Sequence, residues 1–148
     1  MSDTALLING IVFYGDIHGF HRGEQMATPG TLGPVLDICA VAYMQAEGGT
    51  VPPEFYTDEV ASLHLIECSA HAMQAIRAIS DALPTDPPTE TVAPGVDVPN
   101  HIDHVSNWVR TAGIGETEPP SDLEVMGRLI RTARALNASA RFPDQRAA

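Results

Sequence analysis

The positions of the prolines constrain most strongly what this chain can fold into. Proline ends a helix because it lacks an amide hydrogen and clashes with the preceding turn. Pro52-Pro53, Pro84 and Pro119-Pro120 separate stretches in which apolar residues recur at steps of three and four. That periodicity is typical of helices with one buried face. The chain is therefore predicted to be mainly α.

Two helices are predicted before Pro84. One runs from about residue 34 to the glycine pair at 48–49, because glycine commonly follows the last helical turn. The other is long. It begins at a cap formed by Thr57 or Asp58 and continues to Leu83. Asp58 also places negative charge in the favourable first turn.

Two further helices are predicted after Pro84. Asn100 can cap a short one that carries Trp108, and Ser121 opens a capping box for the last one. Residues 5–20 are apolar and glycine-containing, so a buried strand and a helix both stay open there. We therefore expect a single compact domain over residues 1–148 with about four to five helices.

Two segments are predicted to lack helix. Residues 84–99 contain five prolines among threonines and acids, which predicts a long exposed Pro-rich loop. A loop of that length inside a small domain is typical of a mobile or functional segment. Residues 138–148 are expected to form a flexible tail.

The charge distribution restricts the partners. The 148 residues carry 19 acids and 8 basic side chains, all of them arginine, for a formal net charge of -11. An acidic body repels phosphate, so direct nucleic-acid binding is not expected. Residues 128–148 are the exception, with five of the arginines and one acid. Another protein is the expected partner, and an acidic nucleic-acid mimic is an alternative.

Other features predict a cytoplasmic protein. No apolar run approaches the roughly 20 residues that span a bilayer, so no membrane association is expected. The N-terminus lacks the basic start of a signal peptide. The two cysteines are too few for a secreted disulfide scaffold.

A short motif near the N-terminus points to phosphoester chemistry. Residues 15–19 read Gly-Asp-Ile-His-Gly, which matches the first motif of calcineurin-like metallophosphoesterases. In those enzymes the motif follows a strand, and its Asp and His hold one metal of a two-metal centre. The resemblance implies a metal-dependent hydrolase with Asp16 and His18 as ligands. It also implies later Gly-Asp-x-x-Asp-Arg-Gly and Gly-Asn-His stretches, and neither occurs here. The hydrolase therefore stays an alternative.

A stripe of histidine and cysteine suggests a metal site. His64, Cys68 and His71 stand at i, i+4 and i+7 of the long predicted helix and so share one face. His101 and His104 are three residues apart on the next helix. Imidazole and thiolate are the ligands that zinc prefers, so the two helices would form a zinc site if they packed face to face. Helix packing with a buried Cys68 is the favoured interpretation, and zinc is the alternative.

The turn at residues 18–23 offers a small contact site. It reads His-Gly-Phe-His-Arg-Gly and so places Phe20 and Arg22 between glycines. A purely structural turn is favoured over a binding role. No nucleophile elbow or phosphate-binding glycine loop occurs.

The order of these segments resembles a family of small actinobacterial and actinophage proteins that is catalogued as a domain of unknown function. The matching pieces are the turn at 18–23, Cys39-Ala40-Val41-Ala42, and Asn107-Trp108 ahead of the helix from Ser121. The order Ser106-Asn107-Trp108-Val109 departs from the family's Trp-Asn-Asp. The resemblance implies a single α-helical domain whose first segment is a helix, and it implies no established activity.

The leading hypothesis is a non-enzymatic acidic helical module that binds another protein, as a phage-borne or accessory regulator. Segment 84–99 and the basic last helix are its expected contact surfaces. No cofactor is expected, and a homodimer through an uncovered apolar face stays open. The predicted binding residues are Arg128, Arg131, Arg134, Trp108, Phe20 and Arg22.

Overall fold

The computed structural model describes residues 2–141, most of which are helical. The elements are α1 (Asp3–His18), β1 (Ala27–Thr28), β2 (Val35–Leu36), α2 (Ile38–Glu47), α3 (Glu54–Thr57), α4 (Glu59–Glu67), α5 (Ala70–Ala82), β3 (Thr89–Ala93), β4 (Val96–Pro99), α6 (His101–Arg110) and α7 (Asp122–Arg141). The mainly α class is confirmed, with seven helices in this range rather than four to five. None of these helices is long and apolar enough to cross a membrane.

The N-terminal apolar stretch is a helix, which decides between the two conformations that its sequence left open. The Ser2 side chain caps α1 by accepting a hydrogen bond from the Ala5 amide at 3.3 Å. Gly19 ends the helix at a φ of 72°, a left-handed conformation that favours glycine. The stretch at 15–19 therefore lies at a helix end. This is a correction to the strand end that the metallophosphoesterase motif requires.

The second predicted helix begins later than residue 34. Val35 and Leu36 instead pair antiparallel with Thr28 and Ala27, and Asp37 caps α2 by accepting from the Cys39 amide. This helix occupies the centre of the fold and packs against α1, α5 and α6. Its first five residues are all buried: Ile38, Cys39, Ala40, Val41 and Ala42.

The single long helix predicted from 58 to 83 is wrong, because the chain breaks after Cys68. Asp58 caps the first piece, α4, as expected. Ser69 has an extended backbone and caps α5 by accepting from the Ala72 amide. The Ser69 hydroxyl also donates to Glu47 at 2.6 Å, which ties the break to the end of α2. A serine that can cap a new turn competes with continuation of the helix.

The segment predicted as a Pro-rich loop contains a β-hairpin. β3 and β4 pair antiparallel from Thr89↔Pro99 to Ala93↔Val96, and Gly95 turns the chain at a φ of 75°. All residues from 89 to 99 are exposed, so the expected exposure holds although the conformation differs.

The last helix lies antiparallel to α1. The Ser2 amide donates to Asn137 near the C-terminal end of α7, and Arg22, just past the end of α1, pairs with Asp122 at its start. Leu123, at the second position of α7, is 78% exposed. Helix α7 continues to Arg141, so the first four residues of the predicted tail 138–148 are helical. Residues 142–148 lie outside the described residues.

Candidate functional site

A buried ion pair joins the start of α2 to the end of α6. The Asp37 side chain is fully buried, and its Oδ2 lies 3.1 Å from the guanidinium of Arg110. Its other oxygen accepts from the Cys39 amide at 2.8 Å and from the Ser106 hydroxyl at 3.0 Å. Arg110 also donates to the carbonyl of Gln25, in the loop before β1. One carboxylate thus connects three parts of the chain.

The chemistry of this cluster is structural. Burial raises the pKa of Asp37, and the neighbouring Arg110 and hydrogen bonds from Cys39 and Ser106 oppose that rise. Burial raises the pKa of the Cys39 thiol well above its usual value, and the nearby Asp37 adds to the rise. A thiol held in its protonated form is a poor nucleophile. Cys39 instead donates to the Ile102 carbonyl at 3.7 Å.

A second polar cluster joins α5, α6 and the segment before the hairpin. His104 Nδ1 lies 2.6 Å from the Ser80 hydroxyl, and its Nε2 lies 2.7 Å from the Thr85 hydroxyl. His101 Nδ1 reaches the same Ser80 oxygen at 2.8 Å. Ser80 is buried inside α5, where the helix hydrogen-bonds its own amides. The amides of the surrounding turn of α5 are therefore not free to act as oxyanion donors for this serine.

The proposed metal ligands lie apart. His64 on α4 and Cys68 directly after it are exposed neighbours, with Nε2 and Sγ 3.9 Å apart. The prediction that Cys68 is buried by helix packing is therefore wrong. The break after Cys68 places His71 on α5, and His101 and His104 are engaged with Ser80. Within residues 2–141, no three His, Cys, Asp or Glu side chains are grouped so that they could hold a metal ion. Zinc therefore stays a prediction without geometric support.

The ligands implied by the hydrolase alternative do not meet either. Asp16 is exposed, and the His18 ring stacks against Tyr14 with the ring centroids 4.4 Å apart. Both residues belong to the last turn of α1. The described residues therefore give the hydrolase no metal centre.

Phe20 and Arg22 have internal partners. Phe20 is 4% exposed, and a Cβ built at Gly15 would lie 2.3 Å from its ring. Arg22 pairs with Asp122 at 2.7 Å and donates to the carbonyl oxygens of Val109 and Pro120. These contacts hold the turn at 18–23 against both ends of the 111–120 loop, which is the structural role favoured from the sequence.

The other predicted binding residues differ in accessibility. Trp108 is half-buried and packs against the core. Arg128 donates to the Ala82 carbonyl at the end of α5. Arg131 and Arg134 are exposed on α7. Of the predicted set, these two arginines are the side chains most available to a partner.

Two uncovered apolar surfaces were not predicted from the sequence. One is the hairpin face that carries Val96 and Val98. The other, named here the α1/α7 groove, has a volume of about 490 Å³. Its lining residues are Asn9, Val12, Phe13, Asp16, Leu123, Met126, Gly127 and Ile130.

The sequence contains signals for the Asp37 cap, for the Asp37–Arg110 pair and for the hairpin turn, none of which was predicted. Asp37 stands directly before the apolar run at 38–42, which is a helix-cap signature. Arg110 is one of only three arginines before residue 128, so an internal acidic partner for it was a reasonable expectation. Pro94-Gly95 between alternating residues is a turn signal.

We expect Asp37→Ala to lower the free energy of unfolding by about 3 kcal/mol, because it breaks a largely buried ion pair and removes the cap of α2. Arg110, which is 17% exposed, keeps only Glu59 at 4.0 Å as an acidic neighbour. Asp58→Ala is the matched control, since Asp58 caps α4 in the same way but is exposed. Its loss should cost about 1 kcal/mol. Urea denaturation of both variants measures the difference. Equal losses would contradict a stabilising role for the buried pair.

The buried histidine gives a pH dependence of known sign. Burial, and next the nearby His101, lower the pKa of His104, while Asp81 and Asp86 partly offset this. Protonation therefore favours the unfolded chain, in which the pKa is about 6.5. The contribution of His104 is present above that pH and is lost as the pH falls toward the folded-state pKa.

Urea midpoints at about pH 7.5 and about pH 5.5 test this. The wild-type protein should lose more stability on acidification than His104→Gln, because glutamine does not titrate. If both proteins lose the same amount, His104 does not contribute to the acid sensitivity.

Comparison with known proteins identifies no relative. No family model, curated protein or solved structure matches this chain. The resemblance to an actinobacterial and actinophage family therefore stays a prediction. Function has to be argued from the exposed surfaces described above.

Proposed function

We propose that this chain is a non-enzymatic protein-binding module and that the β3–β4 hairpin is its contact element. The observation that carries the proposal is the exposure of the whole hairpin, residues 89–99, with an uncovered apolar face. The two polar clusters found in the interior connect secondary-structure elements and offer no reaction centre. They are consistent with a module that acts by binding.

The two faces of the hairpin differ in chemistry. Thr91 and Asp97 lie opposite each other and share a hydrogen bond of 2.6 Å. Side chains alternate along a strand, so Val96 and Val98 point to the other face. Glu90, the cross-strand partner of Val98, adds one acid to that face. Val96 is 48% exposed and Val98 is 37% exposed. A partner could cover this apolar face without disturbing the polar one.

The hairpin lacks support from the helical body. Its extensive contacts are those between β3 and β4. Its base is tied down by the Asn100 amide, which donates to the Pro88 carbonyl at 2.7 Å. A two-stranded hairpin alone is at best marginally stable in water. Both strands also keep a free edge, on which a partner strand can pair through main-chain hydrogen bonds.

The charge of the hairpin suggests what kind of partner it takes. Glu90 and Asp97 lie on it, and Asp86 precedes it. The segment from 84 to 99 contains no basic residue. A partner with apolar side chains ringed by lysine or arginine would fit this surface, because complementary charge speeds and orients association. We therefore propose that this chain is a regulator that binds a basic, partly apolar surface of another protein.

Site-specific photo-crosslinking tests the proposal. A photoreactive amino acid at Val96 should capture one or a few proteins in source cells. The same group at Ile114, which is fully exposed on the loop before α7, is the matched control. Val98→Asp should reduce capture from position 96 because it places a charge on the apolar face, and circular dichroism should confirm that this variant folds. Identical sets of captured proteins at both positions would contradict the proposal.

A further inference from the structure

We infer that the α1/α7 groove binds a second copy of this chain, so that the protein forms a two-fold symmetric dimer. This inference goes beyond the hairpin proposal and does not depend on it. It uses a different surface and different residues. Four observations carry it: the uncovered side of α1, a projecting side chain beside a groove, an unexplained glycine, and the local balance of charge.

Helix α1 exposes large apolar side chains on the side that faces solvent. Ala5, Ile8 and Ile11 are buried against the core. Leu6 is 59% exposed and Phe13 is 68% exposed, and they stand among the exposed polar residues Asn9 and Asp16. Large exposed apolar side chains with polar residues around them are typical of a protein-contact surface. The outer side of α1 therefore suits contact with a second protein surface.

The surface offers both a projection and a depression. Phe13 stands at the rim of the α1/α7 groove, and Leu123, 78% exposed, stands on its other side. Two copies related by a two-fold axis place the same patch against itself. Phe13 of each copy can then enter the α1/α7 groove of the other copy.

Gly127 lies in the middle of α7 without an internal reason. Glycine there costs stability relative to alanine. A Cβ at this position would meet only the Arg131 guanidinium, at 3.4 Å. Gly127 lines the groove, so its missing side chain permits close approach of a helix from outside. A second α7 crossing at this glycine fits that space.

Charge is balanced over α1 and α7 although the chain as a whole is strongly acidic. The two helices together carry four acids and four arginines, against a net charge of -11 for the chain. On α7, Asp122 is already paired with Arg22, whereas Glu124, Arg131 and Arg134 are exposed. Gly127 lies between Glu124 and these two arginines. Antiparallel crossing at Gly127 therefore sets Glu124 of each copy against the arginines of the other, which favours a second copy as the occupant.

Sedimentation equilibrium across a concentration series tests the inference. The wild-type protein should dimerise, and Leu123→Asp should weaken the dimer by at least about tenfold. Val60→Asp is the control, because Val60 is also the second residue of its helix and is 80% exposed on α4. It should leave the dimer unchanged. Gly127→Gln should weaken the dimer while the helix itself gains propensity, which separates loss of the interface from loss of folding.

A charge exchange identifies the occupant as this chain itself. Arg131→Glu/Arg134→Glu should be monomeric, and so should Asp16→Lys/Glu124→Lys. Their equimolar mixture should form a heterodimer. A wild-type protein that is monomeric at every concentration, or a mixture that does not associate, would overturn the inference and leave a different occupant for the groove. Val98→Asp on the hairpin should not alter the dimer, so the two proposals fail separately.

Discussion

The fold depends on a fully buried carboxylate and the largely buried arginine that pairs with it. Asp37 caps the central helix α2 and holds Arg110 at the end of α6, while Arg110 reaches the loop before β1. A buried charge is tolerated only when it is paired and hydrogen-bonded. The pair therefore fixes where α2 begins and where α6 ends. The elements that pack on α2 take their places around that arrangement.

The buried polar side chains of this protein make their hydrogen bonds and ion pairs to other groups inside the fold. Asp37 pairs with Arg110 and accepts from the Cys39 amide, and the Cys39 thiol donates to the Ile102 carbonyl. Ser80, His101 and His104 join α5 to α6 in the same manner. Two apolar surfaces lie on the outside of the protein, the hairpin face and the α1/α7 groove. The proposed binding role rests on these two surfaces.

The capping rule predicted where several helices begin. The prediction failed at Ser69, where a capping residue interrupts a continuous apolar periodicity. Asp58 and Asn100 cap helices as expected, because a side-chain acceptor before an apolar run is a strong local signal. The break at Ser69 was missed because the apolar periodicity continues across it. The contact between Ser69 and Glu47 that stabilises the break joins residues 22 positions apart. Such a contact leaves no periodic trace in the sequence.

The surfaces were harder to predict than the helices. The prolines of segment 84–99 obscured the turn at Pro94-Gly95, although residues on both sides alternate in polarity. The prediction that His64, Cys68 and His71 share one face assumed one continuous helix. The chain breaks before α5, so His71 lies on a different helix from His64. Leu123 continues the apolar spacing of α7 and is nevertheless exposed. Which apolar residue of a helix lies outside depends on the neighbouring helix, in this case α1.

We propose that the function of this protein lies in its uncovered apolar surfaces. Hydroxyl-radical footprinting in source cells, compared with the purified protein at high dilution, measures it most directly. The account predicts protection in cells at Val96 and Val98 of the hairpin and at Phe13 and Leu123 of the groove. Ile114, which is fully exposed, should remain equally reactive in both samples. Equal reactivity of all five residues in cells and in dilute solution would contradict the account.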